Sequence, residues 1–354
     1  MAMNTPLTKL LGCDYPIIQT AMGWVADAKL VAATSNAGGF GFLAGAVMTP
    51  DEVEKSVVAI KAATDKPFGV NFHMYTSGAA DIVDICCRSG VKAVSYSRSP
   101  SADLIEKLKS AGIVCIPTVG AAKHAAKAVS LGADAVVVQG GEGGGHTGSV
   151  ASTILLPQVL EQVDVPVVAA GGFKDGRGLA AALAMGASGI AMGTRFLMTQ
   201  ESPVPDATKT RYVDAAPDQI IVSKKLDGLP QRMINNTCLS DLETSSQLGM
   251  WWLAVKNGLA FAKLTNTSLL EMLQSAWKIS RTGDLSMAQT MMAANAPMMI
   301  QEAMVLGHPD HGILPSGQVA GVIHDLPTVA ELIQRIVNET HDAGARLQSF
   351  IQEP

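Results

Sequence analysis

Short runs of apolar residues, bounded by glycine or proline, recur along the first 200 residues of the chain. The eight runs are Pro16–Gln19, Gly41–Leu43, Gly69–Phe72, Ala93–Tyr96, Val114–Pro117, Ala135–Val138, Val167–Ala170 and Ile190–Met192. Apolar residues are continuous in these runs, which indicates strands that are buried on both faces and therefore a parallel sheet. Eight strand–helix units at nearly even spacing predict an α/β fold, the (β/α)8 TIM barrel.

An open doubly wound sheet is the alternative architecture. Such a sheet usually has fewer strands and a glycine-rich loop after its first strand. Here the densest glycines follow strands 6, 7 and 8 instead. The segments between the runs also carry helix start signals, such as Thr49 as N-cap followed by Pro50 at the first helical position. The barrel is the prediction that these features favour.

The regular spacing ends near Asp214, which predicts a second domain. We expect residues 1–214 and 306–354 to form the barrel and residues 215–305 to form a smaller, mostly helical cap. Within the cap, QIIVSKKLDGLPQRMINN predicts two extended segments around Asp227-Gly228, and residues 246–264 and 268–280 predict amphipathic helices. A methionine-rich stretch follows, which is either core or an adaptable lid over an apolar substrate. A final helix is predicted over residues 328–350.

Composition and charge exclude several classes of protein. The 354 residues are 48% hydrophobic and 16% charged, with a net charge of −5 and no dense basic run, which argues against a nucleic-acid partner. The five cysteines lack metal-site spacing, so we expect reduced thiols in a cytoplasmic protein without a metal site. The longest uncharged run, Leu30–Pro50, is interrupted by polar residues and glycines, which indicates helix, turn and strand rather than a membrane span.

Glycines at the ends of strands 7 and 8 predict a phosphate site. Gly171 and Gly172 follow strand 7, and Gly193 and Thr194 follow strand 8. Adjacent strand ends of this kind let backbone N–H groups approach an anion, and they form the common phosphate site of barrels. Glycine pairs also simply turn the chain. Without a Walker or GxGxxG pattern, the ligands left open are phosphosugars, nucleotides and FMN.

The other strand ends suit a flat ring. These strand ends carry mostly small or amide side chains. Strand 1 ends at Ala21, Met22 and Gly23, strand 3 at Asn71, strand 5 near Thr118 and strand 6 at Gln139. Amides read the pyrimidine edge of an isoalloxazine, and glycine allows close approach. Asn71 is equally compatible with a structural loop residue.

The stretch VQGGEGGGHTGS after strand 6 contains the candidate base, His146. Three glycines precede it directly, and a neutral imidazole is suited to abstract a proton from carbon. Glu142 is either a chemical partner or a solvated loop acid. The absence of a cysteine from this loop disfavours a covalent cysteine mechanism.

Five stretches of the chain resemble the nitronate monooxygenase (2-nitropropane dioxygenase) family. They are QTAMGWVA, PFGVNF, GGEGGGHTG, VPVVAAGGFKDGRGLAAALAMGASGIAMGTRFL and SGQVAGVI. The resemblance extends from about residue 7 to the C-terminal helix. It implies FMN as cofactor and His146 as catalytic base. The implied FMN contacts are Ala21, Met22, Gly23, Asn71, Thr118, Gln139, Gly144, Gly145, Gly171, Gly172, Gly193, Thr194 and Gln318. Two departures are Gly143, where the family usually has alanine, and Thr118, where some members carry lysine.

The resemblance implies oxidation of alkyl nitronates with O2 as the leading function. Within the family, the chain is similar to a branch that acts on CoA thioesters in steroid ring breakdown, in the stretches MGWVA, VPDATKTRY, MAANAPMM and SGQVAGVI. This similarity makes an FMN-dependent acyl-CoA dehydrogenase or enoyl reductase the alternative function. The basic residues Lys209, Arg211, Lys224, Lys225 and Arg232 would suit a CoA phosphate or form a solvated surface. Outside this class, a flavin-free barrel lyase that binds phosphate stays open. The expected partners are a small-molecule substrate, nitronate or acyl-CoA, and O2, without nucleic acid or membrane.

Overall fold

A computed structural model describes residues 2–76, 78–97, 100–245 and 287–351, and it describes side chains at all of these positions except 287–294. The chain forms two compact units. Unit 1 comprises Met1–Gly143, Thr147–Pro203 and Ile323–Pro354, and unit 2 comprises Gly144–His146 and Val204–Val322.

Unit 1 is built on a closed barrel of eight parallel strands. Its strands are β1 (Ile17–Gln19), β2 (Phe40–Leu43), β3 (Gly69–Asn71), β4 (Ala93–Tyr96), β5 (Val114–Val119), β6 (Val136–Gln139), β8 (Val167–Ala170) and β9 (Gly189–Met192). The short strand β7 (Gly145–His146) lies between β6 and β8 in sequence but belongs to unit 2. Every strand is hydrogen-bonded to its two neighbours in the order β1-β2-β3-β4-β5-β6-β8-β9, and β9 closes the ring on β1. The predicted TIM barrel is confirmed, because each predicted strand overlaps an observed one.

Helices alternate with these strands. Those in the first 203 residues are α1 (Pro6–Leu11), α2 (Ala28–Asn36), α3 (Pro50–Ala63), α4 (Ala79–Ser89), α5 (Ala102–Ser110), α6 (Ala122–Ser130), α7 (Ser152–Leu160), α8 (Gly176–Ala184) and α9 (Thr194–Leu197). The Thr49 side chain accepts from the Glu52 backbone N–H and the Glu52 carboxylate accepts from the Thr49 N–H, a reciprocal cap that starts α3. Helix α2 and strand β2 occupy most of the long uncharged run, as the sequence predicts.

The apolar strand residues divide between the barrel interior and the layer beneath the helices. One buried cluster joins residues of nearly every strand, among them Ile18, Phe40, Val137 and Val168. A second cluster includes residues of α3, α4 and α5 together with neighbouring strands. Burial of both faces explains why the apolar runs in the sequence do not alternate.

The C-terminal helix completes the helical layer of unit 1. After α10 (Asp206–Val213), α11 (Thr237–Thr244) and α12 (Met287–Met304) of unit 2, the chain ends in α13 (Val329–Ile351), which matches the predicted final helix. The first residue of α8, Gly176, lies directly against α13, because a Cβ atom there would stand 2.3 Å from the Ile336 carbonyl oxygen. The Gly176 N–H donates to the Glu339 carboxylate over 2.8 Å, which locks the two helices together.

Unit 2 contains a three-stranded antiparallel sheet of order β10-β11-β7, where β10 is Ile220–Ser223 and β11 is Gln231–Ile234. The two extended segments predicted around Asp227-Gly228 are therefore present, and Gly228 adopts the left-handed φ of 83° that such a turn requires. The third strand, β7, was not anticipated. It pairs with β11 so that Gln231 stands opposite His146.

A hydrophobic cluster fills unit 2 within the residues that the structure describes. It includes Leu226, Met233, Leu239, Met299 and Ile313. Since Met299 and Met304 are buried, these two methionines are core residues. The predicted helices over residues 246–264 and 268–280, and the side chains of Met287, Met291 and Met292, lie outside the described residues.

The remaining general expectations concern thiols, metals and membranes. All five cysteines are free thiols. Across residues 2–76, 78–97, 100–245 and 287–351, the structure contains no cluster of three metal-ligating side chains and no helix long and apolar enough to span a membrane.

Candidate active site

The structure places ten predicted cofactor residues of unit 1 at or just beyond the carboxyl ends of barrel strands, the end at which TIM barrels hold their active sites. Ala21, Met22 and Gly23 follow β1, Asn71 ends β3, Thr118 lies near the end of β5, Gln139 ends β6, Gly171 and Gly172 follow β8, and Gly193 and Thr194 follow β9. Because β6, β8, β9 and β1 are consecutive in the barrel, most of this set is contiguous.

The loop after β1 lies against the loop after β9. A Cβ atom on Gly193 would stand 3.2 Å from Thr20 Oγ1 and 3.4 Å from Met22 Sδ. Trp24 follows this segment with a φ of 61°, and it is the one non-glycine residue with positive φ in the described part of the chain. Such a conformation is uncommon for a bulky side chain and concentrates at functional sites. The sequence offered no signal for it.

Gly171 and Gly172 both adopt the left-handed region, with φ of 96° and 80°. A Cβ atom on Gly171 would stand 3.1 Å from the Gly143 backbone nitrogen and 3.2 Å from the Gly140 carbonyl oxygen. The two consecutive left-handed glycines, which we call the cradle, carry no side chains of their own, and the Glu142 side chain adjoins Gly172, where an added Cβ atom would stand 3.5 Å from Glu142 Cβ. The neighbouring strand β9 leads into the short helix α9 at Thr194. The cradle suits an oxyanion such as the phosphate of FMN, since backbone N–H groups at strand ends and helix starts are anion ligands.

Glu142 is a structural residue in this arrangement. Its Oε1 and Oε2 atoms lie 3.1 and 3.0 Å from the Ser152 backbone nitrogen, and Oε2 accepts from Ser152 Oγ over 2.9 Å. Ser152 is the first residue of α7, and the preceding Ala151 has no side chain able to cap it. Glu142 therefore caps α7 from a distance in sequence, where its negative charge also complements the helix dipole.

Gly143, the departure from the family pattern, has a consequence in the structure. A Cβ atom at this position would stand only 2.5 Å from Gln139 Nε2. The glycine thus leaves room for the Gln139 side chain, which an alanine would displace. Elsewhere at this end of the barrel, Asn71 Nδ2 donates to the Ser95 carbonyl oxygen over 3.1 Å, which braces β3 against β4.

His146 belongs to unit 2, where it forms a hydrogen bond with a carboxylate that the sequence did not reveal. Its Nε2 atom lies 2.7 Å from Asp227 Oδ2. Asp227 stands in the turn between β10 and β11, while His146 lies on β7 opposite Gln231. The Gln231 side chain donates to the same Asp227 oxygen over 2.7 Å. The hairpin and the sheet register together assemble a His–Asp–Gln group from residues up to 85 positions apart.

Asp227 is held as a carboxylate. Partial burial alone would raise its pKa, but hydrogen bonds from His146, the Leu229 N–H and Gln231 outweigh burial and lower the pKa below the ordinary aspartate value. An ionised carboxylate only accepts hydrogen bonds, so the hydrogen on the ring nitrogen that faces it belongs to His146. In the neutral ring the basic lone pair is then on Nδ1.

Three more predicted cofactor residues, Gly144, Gly145 and Gln318, also lie in unit 2. Gly144 is in close contact with the segment before Gln318, because a Cβ atom on Gly144 would stand 2.5 Å from the Gly317 backbone nitrogen. Gln318 itself is exposed at the start of a short 3-10 helix. Gly144 therefore serves close backbone packing within unit 2, whereas Gly145 adopts a left-handed φ of 64° and has nothing within 4 Å of an added Cβ atom.

The basic residues considered for a CoA phosphate differ in burial and in their partners. Lys209 is buried, and Arg211 faces Asp310 with 3.7 Å between Nε and Oδ1. Lys224 is exposed and Lys225 half-buried, both in the turn between β10 and β11. Burial removes Lys209 from a solvated basic surface, while the two turn lysines are accessible to an anionic ligand.

Comparison with known proteins identifies the family to which the chain belongs. The family model described as nitronate monooxygenase matches residues 4–86 and 81–339. Proteins named (3aS,4S,5R,7aS)-5-hydroxy-7a-methyl-1-oxo-octahydro-1H-indene-4-carboxyl-CoA dehydrogenase are 48% identical in Mycobacterium tuberculosis, over 95% of this chain and 96% of the relative, and 50% identical in Rhodococcus jostii, over 95% of both. A probable nitronate monooxygenase of Staphylococcus saprophyticus is 32% identical over 67% of this chain and 80% of its own length.

Solved structures agree on the architecture. FabK from Thermotoga maritima superposes with a TM-score of 0.79 at 30% identity, covering 99% of this chain and 100% of that one. Nitroalkane oxidase from Streptomyces ansochromogenes superposes with a TM-score of 0.77 at 26% identity, covering 97% and 100%.

The relatives favour the acyl-CoA dehydrogenase alternative over the nitronate oxidation that we ranked first from the sequence, because identity to the CoA dehydrogenases is higher and covers nearly the whole of each chain. The chain belongs to the nitronate monooxygenase family and is a flavin-dependent oxidoreductase.

Proposed function

We propose that this protein is an FMN-dependent dehydrogenase that introduces a C=C bond next to the thioester of a fused bicyclic carboxyl-CoA. One observation carries the proposal: two relatives with that type of substrate in their names share 48% and 50% identity across 95% or more of each chain. The monooxygenase activity that the family name suggests becomes the second candidate.

FMN is the flavin that the strand ends of unit 1 fit best. Gly171 and Gly172, two consecutive left-handed residues without side chains of their own, would offer backbone N–H groups to its single phosphate, and Gly193 with Thr194 begins a helix at the neighbouring strand end. Gln139, beside Gly143, supplies an amide for the polar edge of the ring system. We assign the same role to Asn71 and close approach to the ring to Gly23.

The proposed chemistry begins with a proton on carbon. A thioester carbonyl acidifies the hydrogen on its α-carbon, and a neutral imidazole is a base matched to that proton near neutral pH. His146 takes this proton at Nδ1, while its Nε2–H remains hydrogen-bonded to the Asp227 carboxylate. The bound flavin would supply the acceptor for the hydride that leaves the β-carbon, so that two electrons and two hydrogens leave the substrate and a C=C bond remains.

Oxidation of an alkyl nitronate by O2 is the second candidate, supported by the family name and the 32% identical relative. It uses the same flavin and the same base. The difference lies in whether an acyl-CoA or a nitronate delivers electrons, and in whether O2 is the oxidant.

The decisive experiment is anaerobic mixing of the purified protein with candidate substrates. We expect acid-released cofactor to have the mass of FMN, and a bicyclic carboxyl-CoA to bleach the flavin with one C=C bond formed per flavin. The corresponding free acid, whose α-hydrogen is not activated, is the control and should leave the spectrum unchanged. Bleaching by an alkyl nitronate but not by the CoA thioester would overturn the proposal in favour of the second candidate, and a colourless protein that takes up no FMN would overturn both.

A further inference from the structure

The carboxylate of Asp227 receives three hydrogen bonds, one from His146 on β7 and two from the segment that follows Asp227 itself. Oδ2 lies 2.7 Å from His146 Nε2 and 2.7 Å from Gln231 Nε2, and Oδ1 accepts from the Leu229 backbone N–H over 3.0 Å. Only 15% of the Asp227 side chain is exposed, whereas 49% of the His146 side chain is. Donors on both oxygens thus hold the carboxylate in place, and Oδ2 faces a ring that is itself half exposed.

The sheet register explains why these groups meet. Gln231 and His146 are directly opposite in the antiparallel pair, so their side chains lie on the same face of the sheet. Arg232, the next residue, points to the other face. Asp227 stands four residues before Gln231, in the turn that contains the left-handed Gly228. This turn brings the Asp227 side chain to the face of the sheet that carries His146 and Gln231.

We propose that Asp227 is the positioning residue of the base, an inference that rests on the proposed function of His146. Asp227 holds the neutral ring in the tautomer with its hydrogen on Nε2, which leaves Nδ1 to take the substrate proton. It then stabilises the imidazolium that forms, without taking up a proton itself. Gln231 keeps the carboxylate in place.

The first test is the kinetics of Asp227→Asn. All three donors around Asp227 need an acceptor oxygen, and asparagine supplies one oxygen instead of two. We expect kcat to fall about 10²-fold or more, with KM changed less than about threefold, because orientation of the base acts on the chemical step. The matched control is Glu302→Gln, since Glu302 and His308 form another His–carboxylate contact of unit 2, 2.6 Å long. That variant should keep its kcat. A fall of less than about tenfold for Asp227→Asn, or an equal fall for the control, would overturn the inference.

The second test reads the tautomer directly and needs no substrate. In the full-length flavoprotein labelled with 15N-histidine, the ring nitrogens of His146 are identified by comparison with His146→Asn. We expect an Nε2–H ring in the wild type and a shift toward Nδ1–H in Asp227→Ala. An unchanged tautomer would overturn the inference, even if kcat falls. If the wild type oxidises no CoA thioester, the proposed function fails, while these spectra still decide whether Asp227 orients His146.

Discussion

Both carboxylate oxygens of Glu142 lie within 3.1 Å of the Ser152 backbone nitrogen, so the acid that stands four residues before His146 is the cap of helix α7. The assignment separates two residues that look like one acid/base pair in the sequence. It also places a negative charge beside Gly172, because a Cβ atom there would be 3.5 Å from Glu142 Cβ. Hydrogen bonds from the Ser152 N–H and Oγ hold the Glu142 carboxylate in place beside this glycine pair.

Replacement of Glu142 should affect stability rather than chemistry. For Glu142→Ala we expect the free energy of unfolding to fall by about 1 kcal/mol, as for the loss of a helix cap. Since a negative charge leaves the neighbourhood of Gly172, flavin content should be retained. Urea unfolding, flavin absorbance and kcat of the same preparation check this. A loss of kcat of about 10²-fold with unchanged stability would show that Glu142 takes part in the reaction.

Gly172→Glu should abolish flavin binding. The new side chain would start beside Glu142 from a backbone with φ of 80°, and it would add a second negative charge where we expect a phosphate. The matched control is Gly112→Glu, because Gly112 has a similar φ of 73° and nothing within 4 Å of an added Cβ atom. Both variants carry the backbone strain, but only the first should lose flavin, measured as the ratio of flavin to protein. Equal ratios in the two variants would move the phosphate away from Gly172.

His146→Asn should retain flavin and lose turnover. Removal of a general base typically costs about 10²–10⁴-fold in rate. The β7–β11 pairing uses backbone groups, so the sheet should survive the substitution. His308→Asn, which removes the contact of His308 with Glu302 in unit 2, should leave kcat unchanged. Stopped-flow flavin reduction measures the chemical step in both variants, and full activity of His146→Asn would refute the assignment of the base.

Asp325 should stabilise unit 1 through the buried Arg195. Arg195 is 4% exposed, and its Nη1 atom lies 2.6 Å from Asp325 Oδ1, while Arg335 donates to the other oxygen. Asp325→Asn should lower the free energy of unfolding by about 1.5–3 kcal/mol, the range for hydrogen bonds to charged groups. Arg88→Gln at the exposed pair with Glu54 is the control and should cost about 0–1 kcal/mol.

This contribution should depend on pH in a defined direction. Partial burial would raise the pKa of Asp325, but the bonds from Arg335 and Arg195 lower it below the ordinary aspartate value. The stabilisation is therefore complete above the unfolded-state pKa of about 3.9 and is lost as the pH falls through the lower folded-state value. The stability difference between wild type and Asp325→Asn should be constant near neutral pH and shrink in acid. A difference that persists unchanged below that range would contradict the assignment.

Local patterns were enough to predict the barrel. Each strand is largely apolar, as in Val167–Ala170. The helix starts and turns between the strands are marked by residues within a few positions, such as Thr49 and Gly112. The same patterns located the glycines at the strand ends, because the carboxyl ends of parallel strands in a barrel meet by topology. Strand β7 escaped, since two residues have no periodicity to detect.

The sequence by itself determined the eight strands, the final helix, the glycine positions at the strand ends and the family. Only the tertiary structure decided the partners of the two candidate acid/base residues. Glu142 caps a helix that begins ten residues later, and His146 meets a carboxylate 81 residues away. Neither partner is visible locally, because each contact depends on how a loop folds back or on the register of an antiparallel pair, and a register shift by one residue would turn Gln231 away from His146.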